Sequence, residues 1–187
     1  MGSEKATEEK HEISLKRAEE LKHAIDDYKE ALKTIPTGFT RWNEIEENQK
    51  RIKNYFKATD EDWDNWRWQL KNRITNADVL KELLPLEKEE LEEIKKTGSL
   101  YRWAVSPYYL SLIDPDDPDD PVKKQCIPSI NEYLDHGGFD DPMGEEFTSP
   151  TPAVTRRYAD RLIIKVTNQC AMYCRHCQRR RSIGEKD

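Results

Sequence analysis

Three of the four cysteines, Cys170, Cys174 and Cys177, stand in one short stretch, NQCAMYCRHCQRRR, at the spacing C-x3-C-x2-C. Soft thiolates this close together can wrap one small metal centre. A structural zinc ion would need a fourth ligand and usually draws on two separated pairs. His176 is at hand, but its neighbour Cys177 already binds, and adjacent residues rarely point at one tetrahedral ion. A four-iron cluster held by three thiolates keeps one iron with an open coordination position, which a small molecule bearing amino and carboxylate groups can chelate. The spacing favours the cluster and leaves zinc as the alternative. The arginines that follow, Arg179, Arg180 and Arg181, read either as anion ligands or as a solvated basic run and counter-charges for the loop. Cys126, alone in KQCIP, reads as a small buried hydrophobe.

The cysteines follow DRLIIKVTNQC, in which Leu162 to Val166 form a β-branched run ending in polar residues, the pattern of a mostly buried strand. Loops beyond the C-terminal ends of strands carry the chemistry in α/β sheets and barrels. Upstream, the chain is helical. Ala18, Leu21, Ile25, Tyr28, Leu32 and Ile35 recur at spacings of three and four, the seam of one amphipathic helix from Ser14 to Ile35. That seam would dock on its own chain or, alternatively, on a second copy. A second helix is expected over Trp42 to Phe56, then one capped at Thr59 or Asp60 with Trp63, Trp66, Leu70 and Ile74 as a packing stripe. Shorter helices near Ala77 to Leu84 and Glu87 to Lys96 follow, with Gly98 as the stop. The aspartates of IDPDDPDDP lack the glycine turn and distal glutamate of a calcium loop and read as solvated. From Val122 to Arg156 the chain is expected to run extended over a surface.

Charged residues make up 36% and the hydrophobic set 35%, so the core should be thin for 187 residues. A net charge of −6 gives no global attraction to nucleic acid or anionic membranes. No apolar run reaches the roughly 20 residues of a spanning helix, no signal-peptide core is present, and Ala6 spoils a myristoylation signal. The expectation is a cytoplasmic protein, where reduced thiols favour metal or redox chemistry.

C-x3-C-x2-C with an imidazole before the last cysteine resembles the signature of the radical S-adenosylmethionine enzymes. SPYYLSLIDPDDPDDPVKKQCIPS and TSPTPAVTRRYADRLIIKVTNQCAMYCRHCQRRR, in that order, are similar to the amino-acid 2,3-aminomutases over nearly the whole chain. The helix leading to IPTGF, WRWQLKNRIT and CAMYCRHCQRRRSIGE with Gln178 resemble the glutamate branch more than the lysine branch. The resemblance implies a [4Fe-4S] cluster on Cys170, Cys174 and Cys177, S-adenosyl-L-methionine with His176 by its adenine, and pyridoxal 5'-phosphate. It implies migration of the 2-amino group of an amino acid to carbon 3 by way of a 5'-deoxyadenosyl radical. Arg157, Tyr158 and Arg161 match the family's stretch that contacts pyridoxal phosphate, and guanidinium forks suit a phosphate dianion. Arg179 matches the arginine that pairs with the substrate α-carboxylate. Ala159 stands where related sequences often have proline.

The expected architecture is a mainly α N-terminal region, 1–98, then a helix and a Pro/Asp-rich connecting segment, 99–156. The first strand and cluster loop of a radical S-adenosylmethionine α/β barrel, 157–187, would follow. A complete barrel takes roughly 200 to 250 residues. The chain is therefore expected to be the N-terminal portion of a longer, homo-oligomeric isomerase, without catalytic residues of its own and inactive alone. The imine-forming lysine and the residues that select the substrate side chain would lie downstream. Its partners would be small amino acids, not nucleic acid or membranes. A structural zinc site or a helical interaction module are the readings from other classes.

Overall fold

The computed structural model describes residues 2–135 and 137–184, with side chains from residue 8 onward. Residues 185–187, the end of the expected third region, lie outside the described residues. The chain divides into two compact units, Met1–Arg41 and Trp42–Asp187.

In the first unit the single helix expected over Ser14 to Ile35 is two helices, α1 (Gly2–His23) and α2 (Asp26–Leu32). Ile25 leaves the helical region at φ −116°, ψ 16°. The break is held by polar contacts: the His23 ring meets Asp26 at 2.8 Å, and Lys29 Nζ donates to the Lys22 carbonyl at 2.9 Å. Asp26 and Asp27 favour a fresh helix start at that point, where carboxylates complement the positive end of the dipole. Leu21, Ile25, Tyr28, Leu32 and Ile35 are all exposed, so α1 and α2 do not bury this seam between themselves.

The second unit opens with α3 (Trp42–Phe56), which buries Ile45 and Ile52. Thr59 and Asp62 form a reciprocal capping box for α4 (Asp60–Asp64). Asn65 then ends α4 and caps α5 (Trp66–Lys71). This break corrects the expected stripe. Trp63 is buried and Trp66 is 62% exposed, while Ile74 packs from an extended segment. Next come α6 (Ala77–Leu83), α7 (Lys88–Leu100), α8 (Pro107–Ser111), α9 (Pro121–Cys126) and α10 (Ile130–Leu134). Helix α7 runs through Gly98 rather than stopping there. A Cβ at Gly98 would sit 2.7 Å from Trp103 Nε1, so the glycine marks a close approach.

The aspartate run is not uniformly solvated. Asp120 is buried, and its carboxylate caps α9 through Lys123 N at 2.6 Å and accepts from Asp114 N at 3.2 Å. The connecting segment contains α9, α10 and a 3-10 turn, Glu145–Thr148. It leads into a hairpin of β1 (Val154–Tyr158) and β2 (Arg161–Ile164), paired antiparallel with Val154 opposite Ile164 and Tyr158 opposite Arg161. Strand β2 overlaps the strand expected over Leu162 to Val166 without the expected burial, and its neighbour β1 straddles the expected boundary at residues 156 and 157. All four of its residues are exposed.

The core gathers Ile52, Leu80, Leu83, Ile94, Leu110 and Ile113 from α3, α6, α7 and the region of α8. Each such side chain contributes about 1.5–3 kcal/mol by leaving water. Val105 is its hub. It exchanges backbone hydrogen bonds with Ile74 at 2.8 and 3.0 Å. On its other side the neighbouring Ala104 and Ser106 bond to Tyr173 and Ala171 at 2.9 and 3.0 Å. The cysteine stretch is thereby stitched to the helical core by its own backbone, and Met172 is buried there.

Candidate functional site

Residues 168–184 form a closed loop. Gly184 N donates to the Asn168 carbonyl at 3.0 Å, and Gly184, at φ +67°, packs so closely on Tyr173 that a Cβ would overlap the phenol. Arg73 supports the start of the loop: Nη1 donates to the Cys170 carbonyl at 2.8 Å and to the Tyr173 hydroxyl at 3.1 Å. Arg175 N donates to the Gln125 carbonyl at 2.8 Å, and a turn closes from Cys177 N to the Cys174 carbonyl at 3.1 Å.

All three loop cysteines are free thiols of intermediate burial. Cys174 packs against the core, and its thiol is pushed up first by burial and then by the neighbouring Cys177 and Cys170. Among the described residues, no group of three or more His, Cys, Asp or Glu side chains is already arranged to hold a metal ion. The donor set is nonetheless chemically uniform: three soft sulfurs on one loop, two of which oppose the ionisation of the third, Cys174. Such a set fits a cationic iron–sulfur centre, which would offset that repulsion. Cys126 behaves as expected of a structural thiol. It is fully buried, bonds to the Val122 carbonyl at 3.1 Å, and is pushed up to about 12 by burial and Asp120.

Two cavities flank the loop. One, of about 840 Å³, is lined by His176, Cys177, Arg175, Glu132, Tyr101 and Phe139, with the His176 ring exposed to it. The other, of about 510 Å³, is lined by Cys170 together with Trp63, Trp66, Tyr108 and Tyr109.

The arginines are not a solvated run. Arg175, only 7% exposed, is held side-on by Glu132, with Nε and Nη2 at 2.8 and 2.7 Å from the two carboxylate oxygens. The same carboxylate receives Arg180 Nη2 at 2.8 Å. Burial alone would raise the Glu132 carboxyl, but Arg175 and Arg180 outweigh it and hold the group below the usual range. Arg179 Nη2 donates to the buried Glu145 at 2.7 Å, and Arg181 pairs with Glu146 and Asp141. Backbone N–H groups of Glu146 and Glu145 hold the Asp141 carboxyl low, and Arg181 adds to this. Glu132, Asp141, Glu145 and Glu146 escaped the sequence reading. For Asp141, Glu145 and Glu146 the signal was charge complementarity, with an acidic DDPMGEE preceding the basic QRRR; Glu132, in INEYL, gave none.

Arg157, Tyr158 and Arg161 lie at the exposed end of the hairpin. Tyr158 and Arg161 are cross-strand partners, with the guanidinium 5.2 Å from the ring. Arg161 is engaged side-on by Asp160 at 2.9 and 2.8 Å, while Arg157 Nη1 donates to the Met143 carbonyl at 2.9 Å. The structure therefore joins two of the three and holds the third apart. The cations suit a phosphate, and both arginines are exposed.

No family profile matches the chain. Glutamate 2,3-aminomutase of Clostridioides difficile (strain 630) is 55% identical over 179 residues, covering 96% of this chain and 42% of that protein. L-lysine 2,3-aminomutase of Clostridium subterminale is 47% identical over 139 residues, covering 74% and 33%. L-lysine 2,3-aminomutase of Bacillus subtilis (strain 168) is 37% identical over 147 residues, covering 78% and 31%. The chain spans less than half the length of these curated relatives.

Proposed function

We propose, since the chain belongs to the amino-acid 2,3-aminomutase family, that the protein carrying it is an isomerase that moves the 2-amino group of an amino acid to carbon 3, with L-glutamate as substrate and β-glutamate as product. The observation that carries this reading is 55% identity to a glutamate 2,3-aminomutase across 96% of the chain. L-lysine is the second candidate, supported by the lower identity to lysine 2,3-aminomutases.

In this reading Cys170, Cys174 and Cys177 hold a [4Fe-4S] cluster with one iron left open for S-adenosyl-L-methionine. Together these supply a hydrogen-abstracting radical, and pyridoxal 5'-phosphate supplies a carrier for the migrating nitrogen. The protein's part is positional. The Val105 stitch and Arg73 fix the loop backbone from Cys170 to Tyr173, and Glu132 fixes Arg175 between the first two and the last thiol. His176 lines the larger cavity, and an imidazole there suits the face or edge of an adenine. Arg157 and Arg161 offer guanidinium forks to a phosphate dianion. The Asp160 pair that now occupies Arg161 is fully exposed, and such pairs are weak enough to be exchanged. Arg179 binds the substrate α-carboxylate near the cluster. The first strand of an α/β barrel, completed by sequence beyond these residues, remains the proposed context for β2.

The test is anaerobic reconstitution of the full-length protein with iron, sulfide, S-adenosyl-L-methionine and pyridoxal 5'-phosphate, then mass-spectrometric detection of β-glutamate or β-lysine. β-Glutamate from L-glutamate is expected. β-Lysine alone would transfer the protein to the lysine branch, and neither product would overturn the reading.

A further inference from the structure

Two arginines of the cysteine loop meet carboxylates in different ways. Arg175 has its side-on edge filled, with Nε and Nη2 both donating to Glu132. Arg179 has the same edge half filled: Nη2 donates to Glu145 Oε1 at 2.7 Å, while Nε is buried and has no acceptor. Buried donors are almost always satisfied, so an unpaired one on a charged group points to an acceptor that arrives from elsewhere.

Glu145 is built to hold its half of that edge. Its side chain is 4% exposed. It opens the 3-10 turn directly after Gly144, which adopts φ +60°. The Asp141 carboxylate accepts from the backbone N–H of Glu145 at 3.0 Å and of Glu146 at 2.9 Å. Ser149 Oγ donates to the Glu145 carbonyl at 2.7 Å and lies 3.0 Å from the buried Thr155 hydroxyl of β1. The carboxylate thus stands on a turn braced from both sides, and it is anchored to the hairpin that carries Arg157 and Tyr158.

We propose that Glu145 is a positioning residue for Arg179: it fixes the guanidinium through Nη2 and leaves the Nε–H to receive the carboxylate of the amino-acid substrate. The inference rests on the aminomutase reading for the identity of that carboxylate alone. A guanidinium shared between two carboxylates is held in one plane, which orients the second carboxylate as well as binding it. Glu132 has the opposite role, since it consumes the whole edge of Arg175 and leaves nothing for a ligand.

The experiment compares wild-type, Glu145→Ala, Glu145→Gln and Glu145→Asp in the full-length, reconstituted protein. It measures equilibrium binding of L-glutamate, L-lysine and acetate, the last as a minimal carboxylate, alongside KM, kcat and iron content. Glu145→Ala is expected to weaken binding of the preferred amino acid, and to raise its KM, by about tenfold or more, with iron content unchanged. Glu145→Gln keeps an oxygen for Nη2 and should recover most of that loss, whereas a general structural role would lower iron content and kcat in Glu145→Ala together with binding. Binding in Glu145→Ala equal to or tighter than wild-type overturns the proposal, the tighter case identifying Glu145 as a competitor for Arg179. Should Glu145→Ala fail to fold, Glu145→Asp decides, because it withdraws the carboxylate by one methylene, and unchanged binding there overturns the proposal. Carboxylate binding that depends on Glu145 without any turnover would defeat the aminomutase reading and leave this inference standing. Turnover that is indifferent to Glu145 would do the reverse, and a wild-type protein that binds none of the three probes overturns the inference.

Discussion

Four cysteines in one chain occupy two chemical settings. Cys126 is sealed in the core with its thiol pushed up to about 12, while Cys170, Cys174 and Cys177 are partly open to solvent. Because the thiolate is the reactive form, brief iodoacetamide treatment of the protein isolated without metal should label the loop cysteines, Cys174 more slowly for its burial, and spare Cys126 until the protein is denatured. Peptide mass spectrometry reads this directly, and early labelling of Cys126 would contradict its placement. Gly98 offers a second test at this scale. Alanine there improves helix propensity by about 1 kcal/mol, but its Cβ would press on Trp103 Nε1, part of a buried ring. Overpacking of this kind costs about 1–3 kcal/mol, so Gly98→Ala should lower the stability measured by urea unfolding. The cysteine spacing was legible in the sequence because ligand chemistry is local. Glycine's role at position 98 was not, since the indole that demands it arrives from beyond the helix end and the same residue type also stops helices.

At the scale of elements, boundaries followed side-chain caps more than hydrophobic period. Thr59, Asn65, Asn76, Ser106, Asp120 and Ser129 each cap a helix, and Asn65 cuts the tryptophan stripe in two. The stripe misled because Trp63, Trp66 and Ile74 share a spacing without sharing an element. Helix α10 shows what caps can do beyond starting a helix. Glu132 accepts from Ser129 N at its own helix start and, with the same carboxylate, clamps Arg175 and Arg180. Arg175 and Arg180 depress the folded-state value of Glu132 below the ordinary 4.5, against the effect of burial. Its stabilisation is therefore complete above that ordinary value and disappears as pH falls through the lower folded value. Glu132→Gln should lose about 2 kcal/mol at neutral pH, and the gap to wild-type should close on acidification. A gap independent of pH would mean that packing, not charge, ties α10 to the loop.

At the scale of the whole molecule, the hairpin is the least finished part. Leu162, Ile163, Ile164 and Val166 are exposed apolar residues on or just after β2, in a chain that spans less than half its relatives' length. If β2 is the first strand of a barrel, the backbone amides of Leu162 to Val166 should exchange rapidly with deuterium in the 187-residue chain and slowly in the full-length protein. The β-branched run made a strand legible here but not its exposure, and β1 was not legible, because Thr155, Arg156 and Arg157 carry little apolar pattern.

The backbone stitch at Val105 also sets an order of events. The loop's anchors span about half the chain, with Arg73 reaching a carbonyl 97 residues and a hydroxyl 100 residues away. Contacts that close so much chain form late, after the helices around Ile94 and Leu110 have condensed. Until then the three thiols are neighbours in sequence without a backbone that fixes their directions. If the loop holds a cluster as proposed, the directions of its ligands are set only once the contacts from Arg73 and from Ala104 and Ser106 have formed, so helix packing precedes the site.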